Sequence, residues 1–239
     1  MAPPIRPAGQ PGARPADGRR IPWLAATAGL VLGAASAWWF LGREAAPDLS
    51  RLANLTAPGE TVVFLGDSIS RGYGLAEAEA FPGLAAAELG VPHVNAGVSG
   101  DTMAAALARL ERDVLSHQPR LTVLELGGND FLQRLPVEQT VRSLDAIVSA
   151  LVAQGGMVAI LHVRVGLGED PYLEGFREVA ARHGALLVPD VLRGIAGDPS
   201  LKLDPIHPNA RGQRLLAERV AKALRPLLLE AERRRRGVR

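Results

Sequence analysis

Thr61-Val62-Val63-Phe64-Leu65-Gly66-Asp67-Ser68 is the stretch on which the fold turns. It opens with a short apolar run rich in β-branched and aromatic residues, the mark of a strand buried on both faces. Gly66 closes the run, and Asp67-Ser68 follows where a strand would turn into a helix. Working outward, the unit recurs. Pro92–Asn95 is a short strand leading into Ala96–Gly100, and Leu121–Leu126 leads into Gly127-Gly128-Asn129-Asp130. Helical spacing covers Phe81–Leu89, Thr102–Ser116 (with Leu107, Leu110 and Val114 on one face), Val137–Ala153 and Tyr172–His183. Met157–Val163 and Ala185–Val188 read as further strands, and Asn209–Leu229 as a long helix with Asn209 at its N-cap. Alternating strands and helices predict an α/β fold with a parallel sheet covered on both faces. Ligands of such sheets bind beyond the carboxyl ends of the strands, where the first three polar motifs sit.

The 239 residues contain no cysteine, which excludes a disulfide framework, a thiol nucleophile and a cysteine-based zinc site. The apolar fraction of 47% is ample for one buried core. Net charge is +2, but ten of the 27 basic groups lie in residues 1–50 and 230–239, against five of the 25 acids. The body is therefore slightly acidic and offers no nucleic-acid surface. Residues 1–20 are rich in Pro, Gly, Ala and Arg and are expected to be disordered. Ile21–Gly42 is a run of 22 uncharged residues, long enough as a helix to cross a hydrocarbon core of about 30 Å. Arg6, Arg14, Arg19 and Arg20 precede it, and Trp23, Trp38 and Trp39 mark its ends. That pattern favours a membrane anchor with the amino terminus inside and residues 43–239 extracytoplasmic, in the periplasm. A signal peptide cleaved after Ala35-Ser36-Ala37 is the rival reading. Residues 43–60 read as a linker with a short helix through Leu49–Leu55, residues 61–229 as the folded domain, and residues 230–239 as a basic tail.

Ser68, at the strand-to-helix turn, can present its hydroxyl above the sheet while its N–H points the same way. Taken alone it is equally an N-cap serine. His207 stands out among the five histidines because Asp204 precedes it by three residues in a turn held by Pro205 and Pro208. A carboxylate so placed reaches Nδ1 and leaves Nε2 facing outward. The same segment also reads as a helix-entry turn. Asn129 follows two glycines and can donate to an oxyanion, or be a turn asparagine; Gly100 is a further donor, or a plain turn glycine. Asp67, Asp101 and Asp130 are expected to accept main-chain N–H groups rather than hold a metal, since no second histidine stands at ligand spacing. Together the motifs supply a nucleophile, a base, its orienting acid and oxyanion donors, the equipment of a serine hydrolase.

These blocks resemble the SGNH hydrolases, also called the GDSL esterase/lipase superfamily. Gly66-Asp67-Ser68-Ile69 matches the first block with isoleucine for the usual leucine; Gly100, Gly127-Gly128-Asn129-Asp130 and Asp204-Pro205-Ile206-His207 match three more. The longer strings Leu65–Tyr73, Val98–Thr102 and Glu125–Asp130 look like the bacterial thioesterase I / arylesterase / lysophospholipase group. The resemblance implies a flavodoxin-like three-layer α/β/α fold with five parallel strands and no metal or cofactor. It implies an exported protein that hydrolyses acyl esters and thioesters, and a monomer is expected. Ser68, Asp204 and His207 would be catalytic, and Ser68, Gly100 and Asn129 would form the oxyanion hole. Phe131, Leu132 and Leu135 are candidates for a mobile apolar substrate wall. One departure stands out: Arg164-Val165-Gly166-Leu167-Gly168-Glu169-Asp170 lacks the group's Pro- and Asn-Tyr-Gly-containing loop. The alternatives are a carbohydrate acetylesterase acting on wall or surface polysaccharide and a catalytically silent binding domain.

Overall fold

The run around Phe64 forms strand β1 (Val62–Gly66), buried along its whole length. The computed structural model describes residues 48–166 and 168–237. Strand β1 pairs in parallel with β2 (His93–Gly97) on one side and β3 (Leu121–Glu125) on the other. β4 (Met157–Leu161) and β5 (Leu186–Val188) extend the sheet to the order β2-β1-β3-β4-β5, all parallel. The chain steps from β1 out to β2, then back across to β3. Winding therefore reverses between β1 and β3, and the crevice at such a switch point is where open parallel sheets hold ligands.

The α-helices among the described residues are α1 (Ser68–Arg71), α2 (Phe81–Leu89), α3 (Met103–Ala108), α4 (Leu110–Asp113), α5 (Gly128–Leu132), α6 (Val137–Ala153), α7 (Leu173–His183) and α8 (Ala210–Arg235). Side chains alternate along each strand, so the sheet has two cores. Val62, Phe64, Leu121, Val123 and Ala159 pack on one face with α2 and α8 residues such as Phe81, Leu216 and Leu224. Val63, Leu65, Leu124, Val158 and Ile160 face the other layer, where Met103, Leu144, Ile147 and Phe176 lie. The expected α/β architecture and five-stranded parallel sheet are present. Ile21–Gly42, the expected membrane segment, lies outside the described residues, among which no helix is long and apolar enough to cross a membrane.

Three elements differ from the sequence reading. The helix expected over Thr102–Ser116 breaks at Arg109, whose side chain turns inward to Asp101 at 2.6 Å and to the Gly66 carbonyl at 3.2 Å. The last helix continues six residues past Leu229, because Glu230 pairs with Arg233 and Arg234, and Glu232 with Arg235 and Arg236, at helical spacing. Its basic last turn also complements the helix dipole. The stretch read as a linker is, from Asp48 on, part of the folded unit. Leu55 and Ala57 are buried, and the Asn54 amide donates to Val152 O and Gly156 O.

Two glycines seat the short helix α1 on the strand ends. A Cβ on Gly97 would lie 2.5 Å from Arg71 N, and one on Gly66 would lie 2.0 Å from Ser70 Oγ. Asn95 then donates to Ser70 O at 2.8 Å. From the opposite layer Gln213 of α8 reaches in, accepting from Phe81 N at 2.9 Å and donating to Ile69 O at 3.0 Å. One buried amide thus ties α8 to the start of α2 and to α1. Replacing it by leucine strands two buried main-chain groups, each worth about 1–3 kcal/mol when unsatisfied. Gln213→Leu is expected to lower unfolding stability by about 2–4 kcal/mol, seen as a lower urea midpoint at unchanged slope.

Candidate active site

Ser68 opens α1 directly after β1, with Asp67 as its N-cap: Asp67 Oδ1 accepts from Ile69 N at 2.9 Å. His207 enters from the turn before α8, 139 residues later, and its Nε2 lies 2.9 Å from Ser68 Oγ. His207 Nδ1 lies 2.7 Å from Asp204 Oδ2. The other Asp204 oxygen accepts from the N–H groups of Ile206 and His207, each at 2.8 Å. Both oxygens are therefore committed, and the carboxylate cannot rotate away from the ring. The His207 hydrogen bond, followed by the two main-chain ones, holds the Asp204 carboxyl down to about 2. With Asp204 ionised, Nδ1–H donates to it and the Nε2 lone pair faces the Ser68 hydroxyl. Tyr73 stacks on the imidazole, with ring centroids 4.4 Å apart and planes 28° from parallel. It is placed by its N–H, which donates to Ser68 O at 3.0 Å. The sequence reading missed Tyr73, and only its proximity to Ser68 hinted at it.

Asn129 sits in the first turn of α5 rather than in a left-handed turn; Gly127, at φ 112°, takes that conformation. Its Nδ2 donates to Asp67 Oδ2 at 3.1 Å and to Asp101 O at 3.0 Å. Asp67 and Asp101 adjoin Ser68 and Gly100, so one amide links the three loops that carry the expected oxyanion donors. Among the described residues the N–H groups of Ser68 and Gly100 donate to no main-chain or side-chain acceptor. Gly100 has φ 86°, a left-handed conformation that costs glycine little. Asp130 accepts from Met103 N and Thr140 Oγ1, each at 2.9 Å, and Asp67 from Ile69 N, as expected of acids that brace turns. Asp101 differs, because its side chain pairs with the buried Arg109. Among the described residues no group of three His, Asp or Glu side chains stands at metal-binding spacing.

Glu125 at the end of β3 is the largest omission of the sequence reading. It is 1% exposed, and its Oε2 accepts from Ser70 N at 3.2 Å and Ser70 Oγ at 2.8 Å. A charged residue inside the apolar run Leu121–Leu126 was the available signal.

Apolar surface gathers around these groups. Of the eight large apolar side chains exposed among the described residues, Tyr73, Val98, Leu203 and Ile206 lie on loops beside the motifs, and Phe131 and Leu132 end α5. Leu135, the third residue of the expected wall, is half-buried, and its N–H donates to Asp130 O. A Cβ on Gly166 of the divergent loop would lie 3.5 Å from the Phe131 ring, so the loop passes close to it. Asp170 braces that loop by accepting from the N–H groups of Val165, Tyr172 and Leu173.

Residues 64–215 match the GDSL-like Lipase/Acylhydrolase family. Esterase TesA of Pseudomonas aeruginosa is 36% identical over 183 residues, 72% of this chain and 91% of that protein. The thioesterase 1/protease 1/lysophospholipase L1 of Escherichia coli K12 is 33% identical over 180 residues, 72% of this chain and 86% of that protein. The crystal structure of TesA superposes with a TM-score of 0.66 at 34% identity, over 71% of this chain and all of that one. The esterase EstA from Pseudoalteromonas sp., in a form inhibited by monoethylphosphonate, gives 0.67 at 26% identity, over 72% of this chain and all of EstA. The chain belongs to the GDSL-like lipase/acylhydrolase family, the SGNH hydrolases, whose members act on ester bonds.

Proposed function

We propose that this protein is a serine esterase and thioesterase that cleaves acyl esters or thioesters through an acyl-enzyme, with Ser68, His207 and Asp204 as its triad. The observation that carries this reading is the unbroken relay from Ser68 Oγ to His207 Nε2 (2.9 Å) and from Nδ1 to Asp204 (2.7 Å). Ser68 Oγ attacks the acyl carbonyl carbon as His207 takes its proton. The negative oxygen of the tetrahedral intermediate is held by the N–H groups of Ser68 and Gly100 and by the Asn129 amide. Both Asn129 amide hydrogens have partners at rest, so one bond lengthens or becomes shared when the oxyanion forms. The intermediate collapses, and the leaving alcohol or thiol takes the proton from His207. Water, activated by the same base, then releases the acid. Asp204 keeps the imidazole in the required tautomer throughout.

Phe131, Leu132 and Leu135 supply an apolar wall for the acyl chain. The exposed Tyr73, Val98, Leu203 and Ile206 favour an amphiphilic substrate, such as a lysophospholipid or a long-chain acyl thioester, over a hydrated polysaccharide. The names of the relatives, which include esterase, thioesterase and lysophospholipase, point the same way. The Arg-preceded apolar run Ile21–Gly42 supports a membrane-tethered enzyme with its catalytic unit outside the cytoplasm.

Ser68→Ala is expected to abolish hydrolysis of p-nitrophenyl esters while leaving the unfolding curve unchanged, and a fluorophosphonate should label Ser68 alone; activity surviving in pure variant protein overturns the triad. Asn129→Ala should lower kcat by roughly 10²–10³ with little change in KM, as for loss of one oxyanion donor. Asp204→Asn should cost on the order of 10⁴ in kcat through loss of the tautomer, measured under the same conditions. A chain shortened to begin at Asp48 keeps the buried Leu55 and Ala57 and should be soluble and fully active. The full chain should stay with membranes through salt and carbonate washes, and release by carbonate would count against the anchor.

A further inference from the structure

Behind the nucleophile lies a pair of acids that the relay does not use. Asp67 (3% exposed) follows β1 and Glu125 (1% exposed) ends β3, so the two meet at the switch point of the sheet. Each has its oxygens largely spoken for. Asp67 Oδ1 accepts from Ile69 N and Oδ2 from the Asn129 amide. Glu125 Oε2 takes both Ser70 donors, and among the described residues the buried Oε1 meets no donor. Among the described residues no cation pairs with Glu125, and the nearby charge is the Asp67 carboxyl. Two buried carboxylates side by side cannot both stay ionised, so one carries a proton. We propose that Glu125 and Asp67 form a buried acid pair sharing one proton, in which neutral Glu125 donates to ionised Asp67 and so holds the Asn129 amide in place for the oxyanion. The inference rests on the esterase reading and adds a positioning residue to it.

The surroundings decide where the proton sits. Burial first, then the Asp67 charge, pushes the Glu125 carboxyl well above the usual range, against the hydrogen bonds from Ser70. Burial raises Asp67 only to about 6, because the Ile69 N–H and the His207 ring favour its charge, while Asp101 opposes it. Arg109, which lies behind Gly66, is spent on Asp101, Asp113 and the Gly66 carbonyl. The buried Oε1 that no donor meets marks Glu125 as the acid that carries the proton. Gly66 makes the arrangement possible, since a Cβ there would occupy the place of Ser70 Oγ. Both acids bind protons more tightly in the folded than in the unfolded chain. Their contribution to stability is therefore present at low pH and is lost as pH rises, through about 6 for Asp67 and higher for Glu125. Above the Glu125 value two buried charges face each other and the grip on Asn129 fails.

Glutamine at 125 separates donation from charge: its amide can donate to Asp67 while its carbonyl accepts from Ser70. Glu125→Gln is expected to keep kcat within about threefold at pH 7, to lack the alkaline fall in kcat expected of the natural chain, and to resist unfolding better at alkaline pH. Glu125→Leu, checked for folding by its unfolding curve, should lose about 10–100-fold in kcat at nearly constant KM, and adding Asn129→Ala to it should cost much less than Asn129→Ala alone. The infrared spectrum at pH 7 should contain a buried protonated-carboxyl band that Glu125→Gln removes; this readout needs no activity. Absence of that band overturns the shared proton. Wild-type kcat in Glu125→Leu, equal damage in both variants, or strict additivity with Asn129→Ala overturns the positioning role. If the natural chain carries the band but neither hydrolyses esters nor takes up fluorophosphonate at Ser68, the esterase reading falls and the positioning role with it, while the acid pair stands.

Discussion

The contact between Ser68 Oγ and His207 Nε2 joins positions 139 residues apart, and most of the polar structure around it serves to fix its two ends. Ser68 belongs to a helix of only four residues, too short to hold itself together. Its geometry is imposed from outside. The bare faces of Gly66 and Gly97 let it settle on the strands, Asn95 takes one of its carbonyls, and Gln213 takes another from the opposite layer. His207 is fixed by a tight turn in which one carboxylate binds two main-chain N–H groups and the ring.

A second tier lies beneath. Asn129, Asp67, Asp101 and Arg109 form a continuous hydrogen-bonded path across the loops after β1, β2 and β3. Its members are buried or half-buried, so each bond is stronger than at the surface and each vacancy more costly. The path ends on the Gly66 carbonyl, one residue from Asp67, so the loops after β1 and β2 are braced against the same strand end.

What was legible in the sequence was whatever depends on neighbours in the chain. Phe81–Leu89 and Val137–Ala153 form helices at the expected bounds, because their apolar spacing and flanking turns are local signals. The four motifs converge because each rides on the end of a regular element. The features that escaped depend on distant partners. Arg109 breaks a helix that its own neighbours would continue, since its acceptors, Asp101 and Gly66, are reached only after folding. Glu125 was passed over inside an apolar strand, because only Ser70 and Asp67 give it a role. Tyr73 meets His207 across the whole domain. The helix end at Arg235 was lost by treating clustered arginines as a solvated run instead of as partners of Glu230 and Glu232.

The order of the strands has a consequence for timing. In the proposed mechanism the nucleophile belongs to the first strand–helix unit, and its base to the turn before the last helix. A growing chain released up to Val188 would already have all five strands and the serine, yet would carry an inert hydroxyl. The histidine is delivered when α8 docks, and that same docking seats Gln213 under the serine's helix. On the proposed mechanism, hydrolysis therefore requires the last helix and the turn before it, and a chain lacking them leaves any ester it meets intact.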